Sequence, residues 1–144
     1  MKTLILILSS FLLLNGISFA QISVSGSIGV DGTYPSLTTA TGAFAAINGT
    51  VQTGANILII ITGDVTTEDG ATPLNDGAWR FITINPSGAR TISGNVAGAL
   101  INLNGADNVT IDGLNTTGNS LTISNASTIT SSTIKFMADA TNNT

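Results

Sequence analysis

Asn104-Gly105-Ala106-Asp107-Asn108-Val109-Thr110-Ile111-Asp112-Gly113 sets a short alternating strand, Val109 to Ile111, between two corners built from Asn, Asp and Gly. Outward from this decapeptide the same unit recurs. On one side stand Phe81-Ile82-Thr83-Ile84, Thr91-Ile92-Ser93 and Leu100-Ile101-Asn102-Leu103, and on the other Leu121-Thr122-Ile123 and Thr133-Ile134-Lys135-Phe136. The central isoleucines fall at 82, 92, 101, 111, 123 and 134. Single steps are therefore about 9 to 12 residues and two steps about 19 to 23 residues, a near-even period of the kind repeat architectures show. The runs are followed by Asn85-Pro86, Gly94-Asn95, Asn104-Gly105, Asp112-Gly113 and Asn125, residue types that tolerate the left-handed backbone of a sharp corner. Strands this short cannot bury their own apolar face, and a fixed period predicts a solenoid whose coils stack on one another. An antiparallel β-sandwich also spaces strands by about 8 to 12 residues and stands as the alternative.

Composition agrees with an all-β, uncharged polar chain. Of 144 residues only 8% are charged, whereas Thr (22), Gly (16), Asn (14) and Ser (14) are abundant. Apolar residues make up 42%, enough for a folded single domain and too many for a disordered one. With no Cys and no His, disulfides, thiolate zinc sites, Cys nucleophiles and imidazole-dependent triads are excluded.

The first twenty residues read as a secretory signal peptide. Lys2 supplies the positive start, Leu4 to Leu14 form the apolar core around Ser9 and Ser10, and Ser18-Phe19-Ala20 ends it with small residues. Asn15 and Gly16 interrupt the run well short of the ~20 apolar residues a membrane span requires. Cleavage is expected between Ala20 and Gln21, giving a secreted or outer-surface protein that is not integral to the membrane. The remaining cations, Arg80, Arg90 and Lys135, face eight acidic residues, a balance of −5 that cannot line nucleic-acid phosphates. Residues 21–55 form an expected N-terminal cap. It comprises a weak strand around Ile22 and Val24, a turn ending at Tyr34-Pro35, and one helix over about 37–47, with Leu37, Ala40, Phe44 and Ile47 at helical spacing between Ser36 as N-cap and Asn48-Gly49 as C-cap. Residues 56–144 are assigned to coils, beginning with the continuous apolar strand Ile57 to Ile61.

The decapeptide 104–113 resembles the repeat of right-handed parallel β-helix proteins, the pectate-lyase-like superfold. A longer series resembles the N-terminal part of large secreted Bacteroidetes surface proteins. It comprises Tyr34-Pro35-Ser36-Leu37, Ala46-Ile47-Asn48-Gly49, Ile84-Asn85-Pro86-Ser87-Gly88, Thr91-Ile92-Ser93-Gly94 and Ala99-Leu100-Ile101-Asn102-Leu103. The resemblance covers about residues 30–144. It implies a β-helix whose N-terminal end is closed by the helix, surface exposure, and export by the type IX secretion machinery through a C-terminal sorting domain. Asn142-Asn143-Thr144 stands in the middle of an expected coil, so the sequence is expected to be a fragment of a longer chain.

Pectate-lyase-like enzymes bind calcium through clustered carboxylates and use a cation as base. Here Asp107 and Asp112 sit near successive corners and read as turn residues, and no Arg or Lys lies between Arg90 and Lys135. Polygalacturonase-like hydrolysis needs paired carboxylates on one face, and Asp112 has none opposite it when the coil is placed on Lys135-Phe136. The loop 63–78 carries Asp64, Glu68, Asp69 and Asp76, weak candidates for calcium, the one cofactor considered. Its spacing is not that of a calcium loop, and a solvated insertion is the expected reading. Trp79 and Phe81 alternate along one strand and could stack on sugar rings, although packing is the expected role of the Trp. The Asn residues at turns are expected to form side-chain ladders inside the solenoid. The N-x-Ser/Thr sequons at Asn48, Asn108, Asn115, Asn125 and Asn142 are expected from the Thr content, and the glycines at 26, 29 and 32 lack phosphate-loop spacing.

The sequence therefore favours a non-catalytic structural or adhesive module, with polysaccharide or other surface components as partners. The alternative is the start of a carbohydrate-active β-helix enzyme, a lyase or hydrolase, with its active site in further coils. N-terminal sequencing of the exported chain is expected to begin at Gln21; an exported chain that keeps Met1 would exclude a cleaved signal peptide.

Overall fold

A computed structural model describes residues 20–144, so the signal peptide expected over 1–20 lies outside the described residues except for Ala20. The chain is all-β, with eleven strands and one short helix among the described residues. The order is β1 (Ile22–Ser25), β2 (Gly32–Tyr34), α1 (Ala43–Asn48), β3 (Asn56–Ile61), β4 (Val65–Glu68), β5 (Leu74–Asn75), β6 (Phe81–Pro86), β7 (Ala89–Gly94), β8 (Gly98–Asn104), β9 (Val109–Ile111), β10 (Ser120–Asn125) and β11 (Ser131–Met137).

β3 to β8 each pair in parallel with the strand three places later. The sheets run β2-β1-β3-β6-β9, β10-β7-β4 and β11-β8-β5. In the first of them Ile57 stands opposite Ile82 and Ile82 opposite Val109. In the other two Ile92 stands opposite Ile123 and Ile101 opposite Ile134. The expected two-strand period is thus replaced by sets of three strands. Inter-run steps of similar length do not reveal how many strands pass before the backbone returns to its own column.

Strand alternation then builds the core. Inward positions align as Ile57–Ile82–Val109, Ile59–Ile84–Ile111, Val65–Ile92–Ile123 and Leu74–Leu103–Phe136, while Thr83–Thr110, Thr91–Thr122, Ser93–Ser124 and Asn102–Lys135 align outward. Ile57, Ile59, Ile82, Ile84, Ile92, Ile101 and Leu103 are fully buried. β-Branched side chains suit this geometry because their restricted χ1 fits a pleated surface with neighbours directly above and below.

The first strands of the three sheets are covered on their outer edges. β1 lies antiparallel along β3, with Ile22 opposite Ile61 and Val24 opposite Ile59. The Asn48 side chain, at the end of α1, donates to Pro73 O at 2.8 Å and accepts from the Asn75 N–H at 3.1 Å, tying the helix to β5. The helix is shorter than the expected 37–47. Residues 36–42 form turns in which Ser36 O and Leu37 O accept the Ala43 and Phe44 N–H groups, so the helix starts only at Ala43, behind Gly42 as an N-cap with no side-chain bond. Apolar spacing survives because Leu37, Phe44 and Ile47 are all buried, although only the last two are helical.

Substituting Ile84→Ala removes a side chain enclosed by strand neighbours on both sides and is expected to cost about 3 kcal/mol. Ile123→Ala, in the half-open last column, is expected to cost about half of that. Urea unfolding of the two variants checks the ordering, and equal losses would contradict the described burial.

Candidate functional site

The acidic residues of 63–78, the weak calcium candidates of the sequence, are sent by the fold to different places. Glu68 ends β4 and is only 3% exposed. Its Oε1 accepts the Leu37 N–H at 2.6 Å, and its Oε2 accepts the Thr38 N–H at 2.8 Å and the Thr38 hydroxyl at 2.5 Å. The Thr38 oxygen atoms are used again, Oγ1 by the Gly70 N–H at 3.1 Å and the carbonyl by the Thr72 N–H at 2.7 Å. Glu68 therefore fastens the 36–39 turn across the outer edge of β4. Charge-assisted bonds of this kind are the strong ones, and the buried turn amides have this carboxylate as their partner.

Local sequence does not disclose this role. Simple alternation from Val65 would turn Thr67 inward and Glu68 out to solvent. A bulge sets Thr66 and Thr67 against the single Ser93, with Val65 opposite Ile92 and Glu68 opposite Gly94, and this turns Glu68 inward. Gly94 is required by the close approach: a Cβ there would lie 2.2 Å from Glu68 O.

The other three acids are separate. Asp64 Oδ1 accepts the Thr91 N–H at 2.9 Å on the outside of the sheet, and Asp69 Oδ1 accepts the Ala71 N–H at 2.9 Å within its own turn. Asp76 lines an open cleft of about 280 Å³ between the end of α1 and residues 76–79, beside Gly49, Val51, Gln52 and Trp79. Among the described residues no group of three or more acidic side chains comes together as a metal site would require. Glu68 departs from the expected solvated insertion in being buried.

Asp107 and Asp112 are not paired either. Asp107 Oδ1 accepts the Thr141 N–H at 2.5 Å and the Thr141 hydroxyl at 3.0 Å, joining the corner before β9 to the segment after β11. Asp112 Oδ1 accepts the Leu114 N–H at 2.8 Å as a turn residue. Because Ile111 stands opposite Ile84, the residue beneath Asp112 is Asn85 and beneath that Ile60, not Lys135-Phe136. Asp31, on the turn between β1 and β2, accepts from the Ser27 hydroxyl, the Ser27 N–H and the Gly26 N–H. These bonds, that from the hydroxyl first, hold its carboxyl below the usual carboxylate range.

The two aromatic residues of the 79–81 stretch diverge. Trp79 is 6% exposed and its Nε1–H donates to Asp107 O at 2.8 Å, which makes it a packing residue. Phe81, outward on β6 between Asn56 and Asn108, is 46% exposed. The Asn side chains bridge backbone more than they ladder. Asn125 Nδ2–H donates to Val96 O, Gly98 O and Ser132 O while its Oδ1 accepts the Val96 N–H; one side-chain rung, Asn104 to Asn75 at 2.9 Å, fits the expected ladder. Gln52 escaped the sequence reading altogether: its buried amide accepts the Ile28 N–H and donates to Ile28 O, holding the turn after β1.

No protein-family model, no curated protein and no solved structure matches the chain. No helix among the described residues is long and apolar enough to cross a membrane.

Glu68→Gln keeps the volume of the side chain but turns an amide N–H₂ toward the donors of the 36–39 turn. It is expected to cost about 3 kcal/mol. Chemical denaturation checks the loss, and hydrogen exchange should show it concentrated at the Leu37, Thr38 and Gly70 amides; a variant as stable as the parent would remove Glu68 from this role.

Proposed function

We propose that the chain is the capped N-terminal part of a right-handed parallel β-helix, serving as a non-catalytic structural or adhesive module of a secreted Bacteroidetes-type surface protein. The observation that carries the reading is the pairing of each of β3 to β8 with the strand three places later, parallel in all three sheets. An antiparallel β-sandwich would not produce it. Each set of three strands is one coil, and β1, α1 and the turn fixed by Glu68 form the cap.

The surface chemistry supports a scaffold or adhesin over an enzyme. Outward positions carry Thr, Ser and Asn in register, and Asp64, Glu68, Asp69 and Asp112 are separately engaged in a cross-strand bond, the core and turns. Neutral hydroxyl and amide rows, with Phe81 exposed among them, suit uncharged sugars better than charged polymers. Export through the leader and a sorting domain read by the type IX system completes the proposal.

A chain carrying Thr91→Cys and Thr122→Cys tests the architecture. Parallel register places these residues side by side, within the reach of a disulfide. Oxidation is expected to cross-link them within one molecule, and failure to do so would sink the β-helix. For function, sedimentation with insoluble neutral polysaccharides is expected to retain the chain without releasing unsaturated or reducing ends. Release of such ends from pectin or alginate would replace the adhesive module with the enzyme.

A further inference from the structure

We infer that the Asp112-Gly113 peptide is a site of spontaneous backbone modification, at which Asp112 passes through a succinimide to isoaspartate. Asp-Gly or Asn-Gly pairs begin at Asp31, Asn48, Asp69, Asp76, Asn104 and Asp112 among the described residues. Glycine has no Cβ to shield its amide nitrogen, so in an unfolded chain each of these pairs is open to the reaction. The glycine nitrogen attacks Cγ of the preceding residue, and the amide proton leaves with the carboxyl OH as water. For asparagine, ammonia leaves instead. Water then reopens the five-membered imide, and opening at the former main-chain carbonyl carries the chain through Cβ. The sequence of steps uses water alone and no oxidant or reductant.

The fold closes this route at the other pairs. Ring closure needs a glycine N–H that is free and a side chain able to swing onto it. The Gly105 N–H donates to Met137 O at 2.9 Å, and the Asn104 amide donates to Asn75 Oδ1 at 2.9 Å. The Gly49 N–H donates to Ala45 O and Ala46 O, and the Asn48 amide is spent on Pro73 O and the Asn75 N–H. The Gly70 N–H donates to Thr38 Oγ1 at 3.1 Å, in a place so tight that a Cβ would lie 2.4 Å from Ala99 O. Both oxygens of Asp31 are held by the Gly26 and Ser27 N–H groups. Gly77 is pressed against the buried Trp79 ring, where a Cβ would lie 2.1 Å from the nearest ring carbon, and its peptide has no room to turn.

Asp112-Gly113 differs on each count. The Gly113 N–H has no acceptor among the described residues, and the atom nearest to a Cβ built at 113, Leu121 N, is 3.7 Å away. Asp112 is exposed, and its Oδ1 accepts the Leu114 N–H at 2.8 Å, which folds the carboxyl back over the Gly113 peptide. Asp69 makes the same turn with the Ala71 N–H; what separates the two sites is the bond and the close packing at Gly70. Beyond Gly113 the chain is strained, with Leu114, Asn115 and Thr117 at left-handed φ of 59°, 48° and 53°. The atom that isoaspartate adds to the main chain lengthens this corner and lets it relax.

Ageing the folded chain in warm neutral buffer, followed by peptide mapping with isoaspartate-specific methylation, tests the inference. Label is expected at 112 and not at 31, 69 or 76. Asp112→Asn then sets three Asn-Gly pairs in one chain, with Asn48 and Asn104 as internal controls. In the folded variant ammonia should be lost at 112 at least about fivefold faster than at 48 or 104, the factor that opening one hydrogen bond implies. In urea the three rates should converge. Gly113→Ala, whose Cβ meets only ordinary contacts, is expected to keep the fold and suppress the label. An unlabelled position 112 in the aged parent, label at 69 or 76 equal to that at 112, or equal rates at the three asparagines of the folded variant would each overturn it.

Discussion

Every strand from β3 onward depends on a neighbour three places away in the chain, because none is long enough to bury a face or satisfy its backbone alone. β9 has three residues and β5 two. Each N–H and C=O along such a strand must find a partner one set above or below, and each inward aliphatic side chain must rest on its register mate. Burial and backbone pairing therefore pass from each of β3 to β8 to the strand three places later, and the outer edges of β3, β4 and β5 need separate cover. That single constraint explains why the described chain runs all the way from Gln21 to Ala55 before β3 begins.

The provision at the N-terminal end is chemically mixed. An antiparallel strand covers the β3 edge through main-chain pairing, an amide side chain ties the helix to β5, and a buried carboxylate fastens a turn over β4. Only the Glu68 link carries formal charge, and it works because three donors converge on it within hydrogen-bond distance. The helix itself has six residues and no side-chain cap. Isolated, so short a helix would not persist; it is held by burying Ala43, Phe44 and Ile47.

Strand positions are legible in the sequence because burial writes them locally. Ile82, Ile84 and Ile92 alternate with Thr or Ser, and Asn or Gly closes the runs. The number of strands per set is not legible, because it is recorded in which residues meet across a whole set, and runs of similar length and composition satisfy two pairings equally well. The candidate site fares the same way. Asp69 and Asp112 sit in turns as their neighbours suggest, whereas Glu68 is turned inward by a bulge that depends on its partner strand. Phe81 and Trp79 look alike in sequence, and what separates them is the Asp107 carbonyl, which comes from the next set of strands.

The two ends of the stack obey the same rule in opposite ways. An uncovered parallel edge offers unpaired backbone groups to any extended chain, and proteins that keep such edges shield them with charge, proline or a covering segment. Here β10 and β11 carry one charged residue, Lys135, and no proline, while the inward positions remain apolar. Ile111, Ile123 and Ile134 keep the registers that Ile84, Ile92 and Ile101 occupy one set earlier, so the apolar stripe runs through every described set of strands. The two hydrogen bonds between Thr144 and β9 follow the same parallel direction, with Thr144 opposite Thr110.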